Sequence, residues 1–238
     1  MTKYYLHDAT SSVSGTLPST NQSSLTFTVL ADALTVNRSM NGTIGSGPHV
    51  AKSLNTAAQA TQVLYYTRFI SPPLGAQTIS ANTWDYNFAA NENATSGNFP
   101  VNGTSQPVYI NCYVWRPSTG AKVGTILQGN SASVYNEPSA LSVAKVMNGT
   151  FSGTSLAIQD GDVLVFEVMF QISQGNTTSR PDIFYYDGTT ENTTANTTVT
   201  NHASFIQTPQ TLSLSTGGSQ TTTDNGKTTV HAKPIKVV

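Results

Sequence analysis

The feature that most constrains this chain is its alternation of β-branched and aromatic residues in short runs. From Gln62 to Ser215 these runs are bounded by Gly, Pro, Asn and Asp at the spacing of sandwich strands. They predict strands over Gln62–Ile70, Gln77–Ala90, Pro107–Trp115, Ala121–Gln128, Ala144–Phe151, Asp162–Ile172, Asp182–Tyr186, Thr197–Ile206 and Thr211–Ser215. Turns are expected at Ser71-Pro72-Pro73, Ser118-Thr119-Gly120, Asp160-Gly161-Asp162 and Asp187-Gly188, where Pro fixes its own φ and Gly tolerates positive φ. The expected fold is all-β: an antiparallel, jelly-roll-like β-sandwich over 62–215, with an N-terminal arm carrying short strands (1–61) and a linker and C-terminal tail (216–238).

Strand side chains alternate between faces, so Val108, Ile110, Cys112 and Val114 share one side and Tyr109, Asn111, Tyr113 and Trp115 the other. The first set is expected in the core, as are Trp84, Tyr86 and Phe88, with Asp85 and Asn87 turned away. In the run after Asp162, Leu164, Phe166, Val168, Phe170 and Ile172 form one face. The opposite face carries Val163, Val165 and Met169 with Glu167 and Gln171 and is also partly apolar. A strand apolar on both sides needs a second cover, from a flanking arm, a neighbouring subunit, a ligand or a loop of the same domain. Val163, Val165 and Met169 are therefore the candidate interface for assembly, an argument that lapses if the chain seals this face by itself. Tyr109, Tyr113 and Trp115 are the candidate aromatic face for stacking on sugar rings.

Outside this core the patterns are weaker. Ser11–Ser24 reads as a polar connector, Leu25–Leu30 as a short strand, and Ala51–Ala60 as a short helix or turn. TGGSQTTTDNGK from Thr216 reads as a linker. Thr228–Val238 is either a strand for a neighbour's sheet edge or a frayed tail.

Several function classes find no support. Only 10% of the 238 residues are charged, the net charge is -1, and the eleven Lys and Arg residues are scattered, which disfavours nucleic-acid binding. Near-zero charge also removes the self-repulsion that opposes homotypic association. Cys112 is the single cysteine and reads as a buried structural thiol; the four histidines show no metal-ligand spacing. There is no G-x-S-x-G elbow and no Gly-rich phosphate cradle, and Asp160-Gly161-Asp162 reads as a β-turn rather than a cation loop. Twelve Asp and Glu residues leave a carboxylate pair for glycoside hydrolysis open, with nothing to favour one. The expectation is a non-enzymatic protein without a cofactor. The opening MTKYYLHD holds no apolar run of signal-peptide length, so cytosolic synthesis and no membrane association are expected. On that reading the nine Asn-x-Ser/Thr triplets are chance products of an Asn-, Ser- and Thr-rich chain.

TRFISPPL at Thr67–Leu74, NTWDYNFA at Asn82–Ala89, VYINCYVWRPSTGAKVGTI at Val108–Ile126 and DGDVLVFEVMF at Asp160–Phe170 resemble jelly-roll-like sandwich proteins of tailed bacterial and archaeal viruses. The resemblance is one of segment order and texture. It implies a virion structural protein, such as a capsid decoration, head-fibre or tail-associated protein, often trimeric, whose partners are a major capsid or tail protein and copies of itself. It carries over no catalytic residue. A carbohydrate- or receptor-binding module is the competing expectation.

Overall fold

The computed structural model describes residues 1–13, 17, 27–29, 36–55, 62–92, 108–130, 143–172, 181–195, 197–216, 220–224 and 227–231. All its regular elements are strands: β1 Lys3–Thr10, β2 Phe27–Val29, β3 Asn37–Asn41, β4 Val50–Asn55, β5 Gln62–Ile70, β6 Gln77–Ile79, β7 Thr83–Glu92 and β8 Val108–Arg116. These are followed by β9 Ala121–Asn130, β10 Lys145–Ser152, β11 Leu156–Ile158, β12 Val163–Ile172, β13 Pro181–Tyr186, β14 Phe205–Gln207, β15 Gln220–Asp224 and β16 Lys227–His231. The protein is an all-β sandwich, as the alternation predicts.

Twelve strands are linked through hydrogen bonds in the order β4-β13-β7-β14-β1-β3-β5-β12-β8-β9, with β10 added on β7 and β2 on β5. The β2–β5 and β3–β5 pairs are parallel and the other pairs antiparallel. The path folds back on itself. Phe88 of β7 meets Phe166 of β12 at 6.3 Å between ring centroids, and Tyr186 of β13 meets Phe69 of β5 edge-on at 5.1 Å. The half containing β7 and β13 thus packs on the half containing β5 and β12, and the core lies between them.

Val108, Ile110, Cys112 and Val114 lie in that core with Leu164, Phe166 and Val168, and so do Trp84, Tyr86 and Phe88. Burying a large apolar side chain stabilises the fold by about 1.5–3 kcal/mol, so these rings and the aliphatic residues between them supply the attraction between the two halves.

The segment expected as an arm is built into the sandwich. β1 runs between β14 and β3, and Tyr4, Leu6 and Met40 are core residues. Val50–Asn55 is a strand on β13 where a helix or turn was expected; 56–60 lie outside the described residues. Of the expected strand Thr197–Ile206 only Phe205 and Ile206 are strand, as the first two residues of β14. The chain before it doubles back, with Thr190 bridged to His202 and the Gly188 amide donating to the His202 carbonyl at 3.1 Å. In place of the strand Thr211–Ser215 there is a single bridge from Leu214 to Leu74. The expected linker contains β15, which pairs with β16 from the expected tail; 232–238 lie outside the described residues.

The turns at Ser118-Thr119-Gly120 and Asp160-Gly161-Asp162 sit where expected, whereas Ser71-Pro72-Pro73 is irregular chain leading from β5 to the Leu74 bridges. Gly120 and Gly161 adopt φ 61° and 87°, but at Asp187-Gly188 it is Asp187 that takes positive φ, at 64°.

Candidate functional site

The candidate interface is interior in the single chain. Val163, Val165 and Met169 are each 0% exposed. Val163 and Val165 form a second apolar cluster with Ile70, Tyr113, Trp115 and Leu17, and Val13 packs against it. The cover is therefore supplied by the chain's own Val13 and Leu17, which pack on the outer side of β8 and β12 and remove Val163 and Val165 as an argument for a neighbouring subunit. The alternation was correct, but the missing cover comes from a segment whose sequence carries little apolar signal.

The aromatic face is corrected for the same reason. Tyr113 and Trp115 do share a side, but they are 1% and 5% exposed and packed under Leu17, while Tyr109 is half-buried. Rings so covered present no platform to a sugar. The same outer side also buries polar groups, since Glu167 accepts from the Asn111 amide at 2.7 Å. Cys112 is buried as expected, and burial, reinforced by the nearby Glu167 charge, pushes its thiol well above the ordinary range. Asp162 is committed to Arg116 through two 2.8 Å bonds and accepts from the Gln159 amide, which makes the Asp160-Gly161-Asp162 segment a clamped turn.

Periodicity missed the ionisable residues of β1. His7 Nδ1 lies 2.8 Å from Asp187 Oδ1, and its Nε2 lies 2.9 Å from the Thr43 carbonyl. The second Asp187 oxygen accepts from the Asp8 amide at 3.0 Å. Asp8 in turn accepts from Arg38 Nε at 2.8 Å and the Tyr186 hydroxyl at 2.6 Å. Partial burial raises the Asp8 carboxyl, but the bonds from Arg38 and Tyr186 and the charges of Arg38 and Lys52 outweigh it and hold the group below its ordinary range. Beside this knot, Glu191 accepts from Lys3 at 2.9 Å and from the Tyr5 hydroxyl; these contacts likewise overcome desolvation and lower its carboxyl. His202 is fully buried, with Nε2 2.6 Å from Asn87 Oδ1 and no partner on Nδ1 among the described residues. Burial lowers it to about 4, against smaller opposing effects of Asn87 and Glu191.

Next to these residues the outer face of β10, β7, β14 and β1 forms a platform whose register aligns two rows of side chains. One row is Thr150, Asp85, Gln207 and Lys3. The other is Asn148, Asn87, Phe205 and Tyr5. An open cleft of about 350 Å³ lies on this platform, with Thr193 at its rim. The Asn148 amide donates to the Thr193 carbonyl at 2.6 Å, and the Lys3 ammonium lies 4.2 Å from the Phe205 ring centroid. The sequence expectation that Asp85 and Asn87 point away from the core holds, yet Asn87 is only 2% exposed because His202 packs on it. Among the described residues, no group of three or more His, Cys, Asp or Glu side chains is arranged to hold a metal ion.

No protein-family model matches the chain, and no curated protein matches it. A solved structure with detectable likeness is a CocE/NonD family hydrolase from Staphylococcus aureus, at 8% identity and a TM-score of 0.33, covering 71% of this chain and 34% of that one. The chain spans about a third of that hydrolase, and a likeness this weak carries no argument about active site or substrate.

Proposed function

We propose that this chain is a non-enzymatic virion structural protein, a decoration or head-surface component that packs against a major capsid or tail protein and against copies of itself, with a trimer as the expected homo-oligomer. The observation that carries this reading is how the ionisable side chains are spent. Acid–base chemistry needs titratable groups poised together at a cavity; in the cleft on β10, β7, β14 and β1 the one carboxylate is Asp85, and Lys3, which also lines it, is already paired. Here His7 is held by Asp187, Arg38 by Asp8, Lys3 by Glu191 and Arg116 by Asp162. Each pair joins strands or loops far apart in sequence, so these groups weld a rigid body.

A rigid body of near-zero net charge meets little electrostatic resistance when packed in many copies. The segment texture shared with virion sandwich proteins supports the same role. The Val163 face takes no part in this proposal; assembly contacts fall to the hydroxyl- and amide-rich surface, where the large apolar side chains exposed among the described residues are Met1, Ile44, Val143 and Leu214.

The test is assembly. Sedimentation over a wide concentration series is expected to show a discrete multimer, and images of native particles to show the chain at regular surface positions. A monomer at every concentration that occupies no particle position overturns the proposal.

A further inference from the structure

The geometry points to the β10–β7–β14–β1 cleft as a binding site for a neutral saccharide, a role beyond assembly that uses none of the buried aromatic face. Three observations lead to that ligand class. First, Asn87 lines the cleft, its Oδ1 is taken by His202 at 2.6 Å, and its Nδ2 is a buried donor with no partner among the described residues. A buried donor left unmet costs free energy, and a ligand acceptor in the cleft meets it once the Asn87 amide rotates outward, because Nδ2 is itself covered in the unliganded chain.

Second, the walls offer Asp85, which is exposed, the amide groups of Gln207 and Asn148, and the hydroxyl of Thr193. Vicinal sugar hydroxyls donate and accept at once, and a carboxylate flanked by planar amides meets both needs. At about 350 Å³ the cleft lies at the small end of ligand-site volumes, suited to one or two sugar rings.

Third, the charges oppose an ionic ligand. The Lys3 ammonium is matched by Glu191 at 2.9 Å, so the exposed carboxylate of Asp85 disfavours phosphate, sulfate or sialic acid. A hard cation needs several oxygen ligands, and Asp85 is the one carboxylate among the residues lining the cleft, so a polyhydroxylated, uncharged molecule fits best. β7, at the centre of the cleft, is hydrogen-bonded on both edges, to β10 and to β13 and β14, so there it offers side chains and no free edge to an extended peptide.

Saturation-transfer NMR on the full chain with maltotriose, cellotriose, mannotriose and lactose, and with sialyllactose and inorganic phosphate as charged probes, tests the assignment. At least one neutral sugar is expected to bind, and Asp85→Ala is expected to weaken it about tenfold or more, with Asp85→Asn retaining part of the affinity. Thr119→Ala, in a distant exposed turn, is expected to leave it unchanged. If no neutral sugar binds, if binding ignores both Asp85 variants, or if a charged probe is preferred, the assignment is wrong. Circular dichroism of each variant separates loss of the site from loss of the fold.

Discussion

Asp187 and His7, 180 residues apart, meet at 2.8 Å while Asp187 holds φ at 64°. A non-glycine residue in that region is tolerated best when its side chain is Asn or Asp and bonds locally. Here the carboxylate takes both the His7 ring and the Asp8 amide. Replacing Asp187 by Ala keeps the strained backbone and removes both bonds, so a loss of about 2–4 kcal/mol is expected. Asp187→Gly relieves the backbone but not the lost bonds and should fall between Ala and the native chain. Urea titrations of the three proteins check the order.

His202 makes stability depend on acid. Its folded value of about 4 lies below the ordinary 6.5, so the unfolded chain binds the extra proton over that interval. The stability is fully present above about pH 6.5 and is lost as pH falls toward 4, by on the order of 3 kcal/mol. Asp8 and Glu191, whose carboxyls are lowered, also lose stability in acid, but only below the ordinary carboxylate range of 3.8 to 4.5. Thermal melts between pH 7 and 4.5 should therefore fall in the native chain and flatten in His202→Gln. A native profile flat over that interval contradicts a neutral buried ring.

Backbone proximity sets the cost at two glycines. A Cβ on Gly188 would lie 2.4 Å from the carbonyl oxygens of Asn201 and His202, and one on Gly124 would lie 2.9 Å from the Leu156 side chain. Backbone at the base of a doubled-back segment cannot give way, whereas a leucine rotamer can. Gly188→Ala is expected to cost about 3 kcal/mol or more and Gly124→Ala about 1 kcal/mol or less, read from denaturation midpoints.

What the sequence made legible follows from which interactions leave a periodic trace. The alternation in β8 placed Val108, Ile110, Cys112 and Val114 in the core, and the run after Asp162 gave both faces of β12 correctly from Val163 to Val168. β1 was illegible as an interior strand because only Tyr4 and Leu6 mark its inner face, while its polar residues are satisfied by partners such as Asp187 and Arg38 that no local pattern announces. The cleft was hidden for a related reason: Asp85, Asn87, Asn148, Phe205 and Lys3 come from four strands, and only the register brings them into rows. The sealing of Val163 by Leu17 depends on two apolar residues in a Ser- and Thr-rich stretch, too few to read as a covering element.

Removing that cover should expose it. Leu17 is 4% exposed against Trp115, Tyr113 and Val165, so Leu17→Ala is expected to cost about 2–3 kcal/mol. Leu17→Asp should shift tryptophan emission to the red and promote association through the uncovered face.

Whether the chain closes its own second apolar face is read most directly by thiol accessibility. With Cys112 replaced by Ala, Val165→Cys should stay unreactive to a maleimide in the folded chain at low concentration and label only as the chain unfolds. Prompt labelling under native conditions would mean that Leu17 does not cover Val165, and would return that face to solvent or to a neighbouring molecule.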